Sequence, residues 1–111
     1  MSDNEVVRLS VYVDEDAHVN HRPLYTEIVH RAHAAGLAGA TVLRGVEGYG
    51  AGSRLHTTRL LSLAEHLPMV IQIVDDADRI EDFLPTLADL AERGIATVES
   101  VRRWRFGGPA S

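Results

Sequence analysis

Two short stretches carry the residue types best suited to chemistry. Near the C-terminus, "RRWR" (residues 102–105) is the most basic patch of an otherwise acidic chain. In an extended strand side chains alternate, so Arg103 and Arg105 share one face while Arg102 and Trp104 share the other. Two guanidinium groups on one face can clamp phosphate or carboxylate oxygens. The plainer reading is a solvated edge, or ion pairs with the chain's many carboxylates, and sequence weighs the two about equally. The second stretch is "GATVLRGVEGYGAG" (residues 39–52), which begins like a strand and then loses its side chains at Gly45, Gly48, Gly50 and Gly52. Glycine inside a strand marks a bulge or the close approach of another group. A bulge can also turn backbone N–H groups toward an anion. The run is no dinucleotide fingerprint, because G-x-G-x-x-G starting at Gly48 would need glycine where Ser53 stands, and a loop follows rather than a helix.

Other candidates are weaker. Six histidines include the pairs His18/His21 and His30/His33, each spaced by three. On a helix His30 and His33 would share a face. Two imidazoles do not complete a transition-metal site and there is no cysteine to help, so surface histidines are the favoured reading. The acidic runs "DED" and "DDAD" read as turns and helix caps. Ser10, Ser53, Ser62 and Ser100 lack a nucleophile-elbow or triad signature, so no catalytic residue is assigned.

These residues sit in a chain of 111, which argues for one domain. A net charge of -5 speaks against a general nucleic-acid binder, whose footprint would be basic. The absence of cysteine excludes disulfides and thiolate metal sites. No basic, apolar leader opens the chain, and no run reaches the roughly 18 apolar residues of a membrane span, so the expectation is a soluble cytoplasmic protein.

Hydrophobic periodicity supplies the elements that position the two stretches. Residues 6–13 are rich in β-branched side chains and read as a strand. Pro23 stands at a helix start, Leu24, Ile28 and Ala32 recur every four residues, Tyr25 and Val29 widen the stripe, and Gly36 stops the helix. Residues 40–49 form a second strand. The apolar run "PMVIQIVD" (residues 68–75) is too short for a helix and reads as a central strand. Asp75, Asp76 and Asp78 would cap the next helix, whose buried face is Ile80, Phe83, Leu84, Leu87 and Ala91 and whose end is Gly94. Pro85 should kink that helix or break its first turns. Residues 95–106 form the last strand, and 107–111 a loose tail. The order βαββαβ is α+β and ferredoxin-like: a four-stranded antiparallel sheet with both helices on one face. The uncovered sheet face calls for another subunit.

One connection is too long for a hairpin. Residues 51–67 carry Arg54, His56, Arg59 and His66 among leucines, with Glu65 as the one acidic residue. A basic, leucine-rich segment in an acidic chain suits a surface that meets a partner, either as a long β-arm or as a docked loop with Gly48, Gly50 and Gly52 as its hinge.

The element order, the long loop after the second strand, "TVLRGVEGYG" and "VRRWRFGG" resemble the PII signalling superfamily. More specifically, "GLAGATVLRGVEGYG", "HTTRLLSLAEHLPMVIQIVD" and "DFLP" resemble a PII-like family long labelled only as a domain of unknown function, over nearly the whole chain. The resemblance implies a homotrimer with a small anionic ligand, such as an adenine nucleotide, in clefts between subunits. It implies that Gly48, Tyr49 and Gly50 line one side of the cleft and that Arg103 and Arg105 reach phosphates. It implies a regulatory rather than an enzymatic role. Some members of that family occur beside fluoride-channel genes, which points to a membrane transporter or channel as target. The chain departs from PII proteins in one respect. Their Gly-Asp-Gly-Lys loop has no counterpart in "ERGIATVES", and the chain contains no lysine, which leaves open whether the anion is a nucleotide. The alternative from the same fold is a metal-handling trimer resembling the CutA cation-tolerance family, with ligands drawn from the histidines and carboxylates.

Overall fold

The computed structural model describes residues 5–48, 56–57, 67–91 and 94–107. Four strands form one sheet: β1 (Val6–Asp14), β2 (Thr41–Arg44), β3 (Pro68–Asp76) and β4 (Ile95–Ser100). Two helices connect them, α1 (Leu24–Ala34) and α2 (Ala77–Leu90). The strand order is β2-β3-β1-β4, and every neighbouring pair is antiparallel. This is the split βαβ arrangement that the sequence predicts. No helix among the described residues is long and apolar enough to cross a membrane.

The pairing register assigns each residue to a face. Val7 lies opposite Asp75, Leu9 opposite Ile73 and Val11 opposite Ile71. This face meets the helices. Its side chains are buried against Leu24, Ile28 and Ala32 of α1 and Ile80 and Phe83 of α2, which together form the core. The four-residue spacing that predicts α1 is therefore the spacing that packs it.

The other face is crossed by distinct rows. Leu43, Val70, Tyr12 and Ile95 are consecutive partners across all four strands and form an apolar belt. Tyr12, Leu43 and Ile95 are about half exposed in the single chain. The next row is polar: Thr41, Gln72, Ser10 and Thr97. Beyond it, Val74 pairs with Arg8 and Arg8 with Glu99, where the two charged side chains make an ion pair at 3.0 Å.

Five local expectations change. The polar connection after β1 contains a two-residue ladder, His18–Val19 with Arg22–Pro23. Asn20 and His21 both take positive φ at its tip, as a tight hairpin turn demands. Pro85 does not interrupt α2. It lies on the exposed side, where the carbonyl that loses its donor can meet water instead. The helix ends at Leu90 rather than near Gly94. The last strand stops at Ser100 rather than at Phe106, because its partner β1 begins at Val6; the Val101 N–H donates to the Val6 carbonyl at 3.0 Å, and no further β1 residue follows to pair with.

Asp75 is the fifth change, a lock rather than a cap. It occupies a core-facing position and is 5 % exposed. Its carboxylate accepts the Ala38 N–H at 2.9 Å, the Asp76 N–H at 2.7 Å and Arg79 Nε at 3.3 Å. Arg79 also donates to the Gly36 carbonyl. One buried side chain thus ties the connection between α1 and β2 to the first turn of α2. Burial pushes the Asp75 carboxyl up. The Asp76 and Ala38 N–H groups and the Arg79 guanidinium outweigh it, and the net shift is downward.

Asp75→Ala should cost about 2–3 kcal/mol, because it leaves two N–H groups and a guanidinium without their shared, buried acceptor. Melting should fall by roughly 10 °C. The pH dependence follows from the sign of the shift. A carboxyl with a depressed folded pKa contributes fully above its unfolded value, about 3.9, and loses that contribution as pH falls through the folded value. Urea melts between pH 7 and pH 2.5 check this. The gap between the natural chain and the variant should be constant above about pH 5 and close in acid. A gap that is absent at pH 7 would remove Asp75 from its structural role.

Candidate ligand-binding site

The site residues named from sequence that the structure describes fall at two ends of the sheet. At the first end, Gly45 follows β2 and donates its N–H to the Pro68 carbonyl at 2.8 Å. A Cβ at this position would come within 2.8 Å of Pro68 Cγ. The group that approaches Gly45 is therefore the start of β3, so this glycine is required by strand packing. The chain then enters a short ladder in which Glu47–Gly48 pairs with His56–Thr57, which is how a β-arm would begin. Tyr49 and Gly50 lie outside the described residues, as does most of the 51–67 connection, including Gly52 of its proposed hinge. Leu67, at the end of that connection, is buried, and its carbonyl accepts the Glu15 N–H at 2.9 Å.

At the second end, the chain leaves the sheet after Val101. Arg103 reaches back to Asp76 where β3 meets α2, at 3.3 Å. Arg102 and Arg105 are exposed and make no ion pair among the described residues. Trp104 and Phe106 are also exposed, and their rings stack with centroids 5.9 Å apart. Because the strand ends at Ser100, strand alternation does not place Arg103 and Arg105 on one face; Arg103 has a structural ion pair, while Arg105 is exposed.

Gly45 stands at Pro68 and Arg103 at Asp76, the two ends of β3. Eight residues of extended strand separate them by about 27 Å. Within one chain Gly45 and Arg103 are therefore not neighbours.

Two polar clusters were not legible in the sequence. Glu27 of α1 is buried and accepts Arg31 Nε at 2.7 Å, and Arg22 Nη1 lies 3.0 Å from its other oxygen. The hydrogen bond from Arg31 is the largest influence on its carboxyl and, with the charges of Arg22 and Arg31, holds it low against burial. Arg22 also donates to His30 Nδ1 at 2.8 Å, which places the neutral ring's hydrogen on Nε2. The second cluster pairs Glu15 with Arg44 at the end of β2. Only the i, i+4 spacing of Glu27 and Arg31 hinted at either cluster.

His30 and His33 do share a face, as their spacing predicts. They border a cavity of about 460 Å³ with Val29, Ala32 and Leu37. Among the described residues no three metal-ligating side chains converge.

Comparison with known proteins agrees with this architecture. A solved structure of CPII, a nitrogen regulatory PII-like protein from Thiomonas intermedia K12 bound to ADP, AMP and bicarbonate, superposes with a TM-score of 0.62. The match covers 90% of this chain and 89% of that one at 14% identity, and so concerns the fold. A UPF0166 protein of Aquifex aeolicus (strain VF5) is 33% identical over 93 residues, 84% of this chain and 88% of the relative. A second UPF0166 protein of that organism is 30% identical over 78 residues, 70% of this chain and 81% of the relative. The family model for DUF190, described as "Uncharacterized ACR", matches residues 6–103. With a PII-like fold over nearly its whole length and that match across all four strands, the chain belongs to the DUF190 family.

Proposed function

We propose that this chain is a PII-like regulatory protein that binds a small anionic ligand, with an adenine nucleotide as first candidate, in clefts between the copies of a homotrimer. The observation that carries the reading is the C-terminal segment. In a chain of net charge -5, three arginines cluster on a stretch that has left the sheet, and two of them make no ion pair among the described residues. Guanidinium groups held near a sheet edge suit phosphate oxygens. The glycine end of β2 lies about 27 Å away along β3 in the same chain, so a cleft built from both ends belongs between copies. The apolar belt on the open sheet face supplies a surface for self-assembly. Likeness in fold to a protein bound to ADP, AMP and bicarbonate supports the choice of ligand class.

The mechanism is binding and switching, with no bond made or broken. A ligand that binds one arrangement of the assembly more tightly than another shifts the population toward it. The surface offered to a target, for which a membrane transporter or channel is the first candidate, changes with that shift. Calorimetric titration with ADP, AMP, ATP and bicarbonate tests the reading. Saturable binding of at least one at up to one molecule per chain is expected. No binding of any of them up to millimolar concentration would overturn it.

A further inference from the structure

The exposed aromatic pair has a counterpart elsewhere on the chain. Trp104 and Phe106 are 77 % and 84 % exposed and stack on one another. Scattered exposed apolar residues are ordinary, but a contiguous aromatic pair flanked by arginines has the composition of an interface anchor.

The counterpart is a groove between α2 and the edge of the sheet. It has a volume of about 410 Å³ and is lined by Val13, Ile28, Leu87, Ala88, Ala91 and Ala96. Small side chains on both walls leave it open, and Val98 on the adjoining part of β4 is exposed as well. Asp78, Glu81, Asp82 and Asp89 form an acidic stripe along the exposed side of α2, at spacings that keep them on one face. None of the four makes an ion pair among the described residues. An aromatic segment flanked by unpaired cations and an apolar groove flanked by unpaired carboxylates are therefore present in one sequence.

They do not meet within one chain. The groove opens at the Val13 end of β1, whereas the segment departs beside Val6, about 24 Å away along the strand. We propose that the C-terminal segment of one copy seats Trp104 and Phe106 in this groove of a neighbouring copy, with Arg102 facing the acidic stripe of α2 and Arg105 left to the ligand. Such a contact is heterologous, and it closes into a ring when the rotation between copies allows. It rests on the reading that the chain self-assembles, but it uses the helix side and the β4 edge rather than the open sheet face.

Trp104 is the chain's single tryptophan, so its emission reports this contact directly. In the assembled natural chain the emission should be blue-shifted, and iodide should quench it several-fold less than in the urea-unfolded chain. Ala88→Arg places a long cation on the groove wall and should return the emission to that of a water-exposed indole. Trp104→Ala keeps the groove and is spectroscopically silent. Added in excess to Ala88→Arg and allowed to exchange subunits, it should restore the blue shift, because its intact groove receives the other variant's Trp104. Sedimentation of the same samples separates the two readings. An assembled natural chain whose Trp104 is freely quenched overturns the proposed contact alone. So does a protected Trp104 that Ala88→Arg leaves unmoved. A chain that sediments as a monomer overturns the contact and the assembly together.

Discussion

An Arg103→Ala, Arg105→Ala double variant is expected to bind ADP at least a hundredfold more weakly than the natural chain, while assembling and folding as before. A charge-assisted hydrogen bond contributes about 1.5–3 kcal/mol, and two of them about 3–6 kcal/mol, which is a hundredfold or more in Kd. The two arginines are not equivalent. Arg103 is tied to Asp76, so its removal also frees the segment from the end of β3. Arg105 has no such tie among the described residues, and Arg105→Ala alone isolates the ligand contribution. About a tenfold loss is expected for it, with melting unchanged within a degree or two, since surface substitutions away from specific contacts seldom exceed about 0.5 kcal/mol. Titration calorimetry with ADP at fixed ionic strength measures both variants. Unchanged affinity in the double variant would assign the arginines to structure alone.

The sequence makes parts of this molecule legible where a local pattern coincides with a physical cause. β1 and β3 are readable because alternation or continuous apolarity follows directly from which faces are covered. α1 is readable because Leu24, Ile28 and Ala32 are the residues that meet the sheet. The end of β4 is not readable, because it depends on where β1 begins rather than on residues 101–106. Asp75 looks like a helix cap because Ala77 and Asp78 follow it. Its acceptors' true donors include Ala38, which is distant in sequence and adjacent only through the order of the strands. Gly45 announces a close approach, but that the approaching group is Pro68 follows from the β2–β3 register. The same limit governs the candidate site. Glycines and arginines can be named from their types, whereas their separation along β3 appears only once the sheet is assembled.

Val70→Asp is expected to convert a trimer at micromolar concentration into a folded monomer. Val70 stands in the apolar belt between Leu43 and Tyr12, on the face that the helices do not cover. In a single chain that face meets water, so a carboxylate there costs little and far-UV circular dichroism should not change. If three sheets face one another, the belt becomes their common interior. Three introduced carboxylates would then be buried near one axis. The Arg8 guanidinium lies two rows away and is already paired with Glu99. Burying a charge without a partner costs several kcal/mol per copy. Each 1.4 kcal/mol is a factor of ten, so the dissociation constant should rise by about three orders of magnitude or more. Val70→Asn should weaken assembly less, since a neutral amide of similar size carries only the smaller penalty of an imperfectly bonded polar group. Sedimentation equilibrium across a hundredfold range of concentration distinguishes the outcomes. A natural chain that remains monomeric, or a Val70→Asp variant as tightly assembled as the natural chain, would show that the belt is not the surface on which this protein assembles, and the shared cleft would lose its walls.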